Sequence, residues 1–392
     1  MTADPASQDL VIRIHDHPGQ VEAGLWNALL EAQAVPTPFM RHEYLLALHE
    51  SGSAAPDAGW ALQLLCLHRA GVLQAACPLY VKSHSYGEYV FDWAWADAYQ
   101  RHGLRYYPKL LCAVPFTPVP GSRLLARDGA SRRQLLRAMR QFCEGGKLSS
   151  AHLLFMDDDD RQAAQAEGWM LRQTVQFHWL NRPGGYGGFD DFLAGLQRDK
   201  RKKIAQERRR VAEAGISFEV RAGTQIDSEL WDFFYRCYTL TYALHHSTPY
   251  LSRDFFARMQ QHMARHWVMF VAHREGQRVG CSLLAVDPER RHAYGRYWGA
   301  IEYVPCLHFE ACYYQPLAWC IANAYQRFEG GAQGEHKMAR GLLPVLTHSA
   351  HWLDHPGFAD AVARHLEREG AGVEAYVDEL RERNPFRAAP AA

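Results

Sequence analysis

The densest run of reactive side chains in this 392-residue chain lies between His308 and Arg340. Its last part, Glu329-Gly330-Gly331-Ala332-Gln333-Gly334-Glu335-His336-Lys337-Met338-Ala339-Arg340, sets three glycines ahead of an acid, an imidazole and two cations. Glycines allow close backbone approach. Glu335 or His336 beside them can take a proton from an amine nucleophile. Lys337 and Arg340 can hold a phosphate or carboxylate, and Gln333 joins them as a binding residue. The plainer alternative is a surface turn of alternating charge. Charged groups beside a glycine-rich strand end favour the site.

Just upstream, His308-Phe309-Glu310-Ala311-Cys312-Tyr313-Tyr314-Gln315 precedes Pro316. As one helix, it puts His308 and Cys312 on one face and brings Glu310, Tyr313 and Tyr314 together. Pro316 would then kink the helix and free the carbonyl of Cys312. If the helix instead starts at Pro316, the preceding residues form a loop at its N-terminus, which suits an anion. Either arrangement makes Glu310 a second candidate base and Tyr313 or Tyr314 a proton donor to a leaving group, with His308 alongside as a binding residue.

Three further segments carry binding chemistry. Arg296-Tyr297-Trp298-Gly299 ends a strand, and Gly299 permits close approach; aromatic core is the bland reading of Trp298. Tyr238–Tyr250 offers Tyr242, His245 and Tyr250 as it leaves a helix, against the alternative of histidines capping a helix C-terminus. Between Arg198 and Arg210 stand eight Lys/Arg and two acids, with Lys203 in the middle. Such a helix can bind the phosphates of a nucleotide, CoA or tRNA, or it is a solvated face with Leu196, Ile204 and Val211 turned inward. Two clusters are set aside. Asp157–Asp160 reads as an acidic helix start, and His348, His351 and His355 lack the carboxylate pattern of a metal site.

These residues need a scaffold. At 392 residues, with 48% apolar and 22% charged residues, two globular domains are expected. Lys+Arg and Asp+Glu number 43 each, so no whole-protein field draws DNA. No run approaches the ~18 apolar residues of a membrane span, and the first fourteen residues lack a signal-peptide core. Nine unpaired-looking Cys read as buried thiols of a reducing compartment. The expectation is a cytoplasmic protein without membrane insertion. Nothing in the sequence sets an oligomeric state.

The glycine-rich stretch 181–188 predicts a border between domains 1–181 and 189–392. Helices are predicted at Val21–Ala34, Arg41–Glu50, Ser131–Cys143, Asp190–Glu213, Ser228–Leu244, Ser252–Arg265, Pro316–Tyr325 and Phe358–Arg383. Strands are predicted at Ala61–His68, Val72–Lys82, Glu88–Trp95, Ala151–Met156, Val268–His273, Val279–Asp287 and Ala293–Trp298. His68-Arg69-Ala70-Gly71 returns 205 residues later as His273-Arg274-Glu275-Gly276, with Leu79 on Leu284 and Trp93 on Trp298. This predicts a duplicated domain. Hairpin, strand, helix and strand follow the order of a GNAT acyltransferase core. In that α/β fold two parallel strands splay apart to hold an acyl donor, here Ala293–Trp298 and Arg327–Gly331.

The segments EYVFDWAWADAY (88–99), YYPKL (106–110), KRKKIAQERR (200–209), GRYWGA (295–300), HFEACYYQ (308–315) and RFEGGAQGEHKMARG (327–341) resemble the FemAB-like predicted N-acyltransferases. These are labelled peptidoglycan biosynthesis/recognition proteins, within the GNAT superfamily. The resemblance covers nearly the whole chain and implies a tandem GNAT fold. It also implies likeness to aminoacyltransferases that use aminoacyl-tRNA and a peptidoglycan-precursor acceptor. One departure stands out. No Q/R-x-x-G-x-G/A pyrophosphate loop lies between Trp298 and Pro316, which favours aminoacyl-tRNA or another carrier over acyl-CoA of the ordinary kind. The expected reaction is acyl or aminoacyl transfer to a small-molecule or peptidoglycan-type amine, without a metal. Loss of turnover is expected on combining Glu335→Gln with His336→Ala. A non-catalytic binder of peptidoglycan fragments is the alternative.

Overall fold

The computed structural model describes residues 10–332 and 334–387, so Gln333 lies outside the described residues. Two compact units form. One runs to Thr174 and takes in Leu346–Glu374; the other spans Val175–Val345 and resumes at Ala375. The glycine-rich stretch therefore lies within the second unit and is not a linker. Arg182 Nε donates to Gly185 O at 2.9 Å and its guanidinium sits 4.5 Å from the Tyr186 ring centroid. Asp191 accepts from Gly187 N at 2.8 Å.

The first unit holds strands β1 (Leu10–His15), β2 (Trp60–Arg69), β3 (Val72–Lys82), β4 (Lys109–Cys112), β5 (Leu125–Ala126) and β6 (Ser150–Met156). Its helices are α1 (Ala23–Glu31), α2 (His42–Glu50), α3 (Trp93–Arg101), α4 (Gly129–Gly145) and α5 (Asp158–Ala166). The amphipathic α4 buries Leu135, Leu136 and Met139 against β3 and β6 residues such as Leu79 and Leu153. Asp157 caps α5, accepting from Asp160 N at 2.9 Å, as an acidic helix start should.

The second unit takes its first strand from β7 (Met170–Leu180), followed by β8 (Ile216–Ala222), β9 (Trp267–Arg274), β10 (Gln277–Asp287), β11 (His292–Ala300) and β12 (Arg327–Glu329). Their order is β7-β12-β11-β10-β9-β8. Helices α6 (Phe189–Gly195), α7 (Arg198–Glu213), α8 (Ser228–Leu244) and α9 (Arg253–His262) come before β9. Between β11 and β12 lie α10 (Leu307–Phe309), a π-helical segment (Glu310–Tyr314) and α11 (Gln315–Ala322). The chain ends with β13 (Leu343–Leu353) and α12 (Pro356–Glu382). The predicted single helix Asp190–Glu213 is two helices. It breaks where Leu196 bridges Phe386 and Gln197 N donates to Pro385 O at 2.8 Å. Among the described residues no helix is long and apolar enough to cross a membrane.

The 205-residue repeat is visible in the hairpins. β2–β3 turns through Ala70 (φ 48) and Gly71 (φ 79), and β9–β10 through Glu275 (φ 51) and Gly276 (φ 76). Two left-handed residues are what a tight hairpin of this twist requires. Gln63 pairs with Leu79, and Val268 with Leu284, in the same register. Each hairpin also skips one residue at the matching place, Gln74 in β3 and Val279 in β10. The match ends there. Glu88–Trp95 is a loop entering α3, not a strand, and Trp93 is 41% exposed. The alternation failed as a strand signal because Glu88 and Asp92 turn inward to Lys109, while Trp95 and Tyr99 form the buried stripe of a helix.

Candidate active site

β11 and β12 run parallel but pair over three residues only, ending at Tyr294↔Glu329. Beyond that point β12 follows its other neighbour, as Gly330 N donates to Phe177 O at 3.2 Å. Gly330 has no room for a side chain, since a Cβ would lie 2.6 Å from Leu342 Cδ2. Gly331 then turns with φ +85. On the β11 side the strand bulges. Leu283 pairs with Tyr297 and Leu284 with Gly295, which leaves Arg296 unopposed. A bulge bends its strand and re-aims a side chain, and bulges gather beside active sites. The resulting gap is a cavity of about 160 Å³, lined by Gly295, Arg296, Trp298, His308, Tyr313 and Gly331 among others.

One wall of the gap is the irregular helix. The five-residue segment Glu310–Tyr314 runs in π register before Pro316 enters α11. A π-register bond to residue 316 would come from its N–H to the carbonyl of residue 311, and proline has no N–H. Ser282 Oγ takes the vacant place, donating to Ala311 O at 2.5 Å. An α register would instead free the carbonyl of Cys312, one residue later. The π turn brings His308 and Tyr313 to the gap with ring centroids 5.8 Å apart. Tyr313 OH and His336 Nε2 are hydrogen-bonded at 3.2 Å.

Behind Gly331 stands Lys337, 3% exposed, with Nζ donating to Gly331 O at 3.1 Å. It has no carboxylate partner among the described residues. Burial pushes its pKa down to about 8, weakly opposed by the Cys312 thiol. Burial also lowers His308, to about 4, helped by His336, Arg340 and Lys337, so its imidazole is neutral at pH 7. His336 shifts down for the same reasons.

Other candidates stand elsewhere. Glu335 is exposed, paired with Arg383 at 2.5 Å and accepting from Tyr376 OH at 3.2 Å. Glu310 is buried and receives Arg208 Nε at 3.2 Å and Gln315 Nε2 at 2.7 Å. Tyr314 OH donates to Glu207, which also pairs with Arg340 at 2.9 Å. Arg340 further lies 3.6 Å from the Phe309 ring centroid. These groups fasten α7 to the irregular helix. Lys203 is exposed on α7, while Ile204 and Val211 point inward.

Tyr242 and His245 line a second cavity of about 270 Å³ with Tyr238, Thr241, Tyr297 and Trp298. Tyr250 borders Tyr242 at 5.8 Å between centroids. α8 reaches β11 closely at Gly299, where a Cβ would lie 2.2 Å from Cys237 O. Gly299→Ala is expected to lose about 1–3 kcal/mol through overpacking against backbone. Urea denaturation would register this as a lower midpoint.

The first unit has the corresponding parallel pair, β4 with β6 through Cys112↔Leu153. There the divergence is filled. Arg123, 1% exposed, donates from Nε to Leu154 O at 3.1 Å and from NH1 to Gly121 O at 3.2 Å. Gly121 N donates to Phe155 O at 3.0 Å. The carbonyls past the end of that pairing are thus taken by the chain itself.

Residues 18–388 match the FemAB-like family, described as peptidoglycan biosynthesis/recognition. The chain belongs to this family. FemX superposes on this FemAB-like chain with TM-score 0.54 at 10% identity, covering 88% of this chain and 98% of FemX. L-PGS from Bacillus licheniformis gives TM-score 0.54 at 10% identity, over 90% of this chain and 98% of that one. The C-terminal domain of a putative lysylphosphatidylglycerol synthetase from Agrobacterium fabrum gives 0.52 at 10% identity, over 87% and 94%. Such likeness concerns the fold alone. No curated protein matches the sequence.

Proposed function

We propose that this FemAB-like protein transfers an acyl or aminoacyl group from an activated carrier to an amine, at the gap between β11 and β12. The observation that carries this is the pairing of that gap with the buried, acid-free Lys337 behind Gly331. The amine nitrogen attacks the donor carbonyl carbon, and the oxyanion forms beside the Lys337 ammonium and the unpaired strand backbone. His308 accepts the proton released by the amine. The tetrahedral intermediate collapses and expels the oxygen or sulfur of the carrier. Tyr313 protonates that leaving atom and is itself reprotonated from solvent through His336, while His308 returns its proton to solvent.

Aminoacyl-tRNA, or another carrier, suits the site better than acetyl-CoA. The helix that would grip a pyrophosphate starts after Cys306 in a left-handed conformation (φ 67), with Tyr303 beside it 91% exposed. The exposed cations of α7, Lys203 among them, supply phosphate contacts instead. The acceptor is a small-molecule or peptidoglycan-precursor amine, used in the cytoplasm.

Incubation with aminoacyl-tRNAs and acyl-CoAs, followed by mass spectrometry of amide products, tests this. Tyr313→Phe combined with His336→Ala is expected to abolish product. Glu335→Gln alone should leave turnover within about twofold, because its carboxylate is exposed and engaged by Arg383. Thermal stabilisation by muropeptides, without product from any donor, would establish a binding protein instead.

A further inference from the structure

Helix α7 turns one acid inward. Ile204, Glu207 and Val211 form its buried stripe, while Lys202, Lys203, Arg209 and Arg210 are exposed. A carboxylate at a core-facing position is costly unless it is paired. Even a paired one is weak evidence for stability, because apolar residues of like size often serve as well. Folding alone therefore gives little reason for an acid at this place.

The partners of Glu207 supply a reason. Its carboxylate accepts from Tyr314 OH, and from Arg340 NH2 at 3.1 and 2.9 Å. Tyr314 is the last residue of the π segment, and Arg340 is the last of the short 3-10 helix Glu335–Arg340. Each of these two segments carries one half of the hydrogen bond between Tyr313 OH and His336 Nε2. On the π side the tie lies next to Tyr313. On the other side Arg340 NH1 donates to the carbonyl of His336 itself, at 2.7 Å. Arg340 has no second carboxylate among the described residues. The neighbouring Arg208 holds the other end of the π segment, through Glu310. We infer that Glu207 is a positioning residue: it fixes the two segments against each other, so that Tyr313 and His336 stay within hydrogen-bond reach during transfer. The role in transfer rests on the acyl-transfer reading; the hold on the Tyr313–His336 bond does not.

Histidine nitrogen NMR of the full chain, without any donor, reads that bond, because the state of a ring nitrogen follows its hydrogen-bond partner. Tyr313→Phe gives the reference for a broken bond. Glu207→Gln is expected to move the His336 Nε2 resonance about half-way or more to that reference, and to lower kcat about tenfold with acceptor KM within about twofold. Adding Tyr313→Phe to Glu207→Gln should then cost much less than Tyr313→Phe costs the wild type, as coupled residues are not additive. Tyr314→Phe leaves the Arg340 pair in place and should move the resonance the same way by less. It decides the matter if Glu207→Gln does not fold. An unmoved resonance overturns the inference whatever happens to Tm, and so does kcat within about twofold of wild type in folded Glu207→Gln. A moved resonance with no amide product from the wild type and any donor counts against acyl transfer and leaves the hold of Glu207 standing. Amide product from the wild type, together with an unmoved resonance, does the reverse.

Discussion

Lys337→Met is expected to lower kcat about 10²–10³-fold, the range for loss of one oxyanion-stabilising donor, while KM moves little. Stability should hold or rise. The wild-type ammonium is buried, bonded to a single carbonyl and unpaired by any described carboxylate. Removing such a charge relieves desolvation. The pH dependence gives a second test. With its pKa pushed to about 8 from an ordinary 10.5, the folded chain binds fewer protons than the unfolded chain between those values. Stability from this group therefore rises with pH across that window, while the cost is fully present below it. Activity should do the opposite, falling as the ammonium deprotonates near pH 8. A pH profile of kcat/KM should show that alkaline limb in the wild type and lack it in the residual activity of Lys337→Met. Wild-type kcat in the variant would remove Lys337 from the chemistry.

Lys109→Met should be the most destabilising single change in the first unit. Lys109 is fully buried and donates to Glu88 at 2.7 Å, Asp92 at 2.5 Å and Ser85 at 2.8 Å. Tyr106 OH also donates to Asp92, at 2.6 Å. Removing one partner of a buried ion cluster typically costs 3–5 kcal/mol, here about 10 °C of Tm. Burial lifts Glu88 to about 7 even with Lys109 present, whereas at Asp92 burial, the largest influence, is overcome by Lys109, His152 and Ser85 together, which hold it low. A carboxylate with a depressed folded pKa contributes stability above its unfolded pKa and loses it as pH falls through the folded value. The penalty of Lys109→Met should accordingly shrink as pH falls and the carboxyl groups protonate. Denaturant unfolding at pH 7 and at about pH 5 checks this. A penalty equal at both would mean that the cluster acts through packing and not charge.

Much of this was legible in the sequence where periodicity and turn chemistry were local. Ser228–Leu244 carries its own helical stripe, and the two HRxG turns mark matching hairpins. What the sequence does not show depends on partners distant along the chain. No local pattern shows that Glu88 and Asp92 serve Lys109, or that Glu207 ties Arg340 to Tyr314. Glu310 and Glu335 looked alike as bases, yet one is locked by Arg208 and Gln315 and the other is turned to Arg383. In the sequence Arg296 stands out only as part of a strand end. Its bulge arises only from how Leu283 and Leu284 register against β11. The Ser282 hydroxyl beneath Pro316 gave no signal, because a lone serine in an apolar strand has many explanations.

The π segment has one more consequence, for chain length. Glu310–Tyr314 contains one residue more than an α-helix would place between the same two ends. Deleting any one of them would let the helix close into ordinary hydrogen bonding, a local gain. The two ends of the segment would keep their places, and the wide turn that carries the residues between them would be lost. The number of residues from Glu310 to Tyr314 is therefore as much a part of the site as their identity, and a relative one residue shorter there would present its tyrosine to His336 from a different angle behind an almost unchanged sequence.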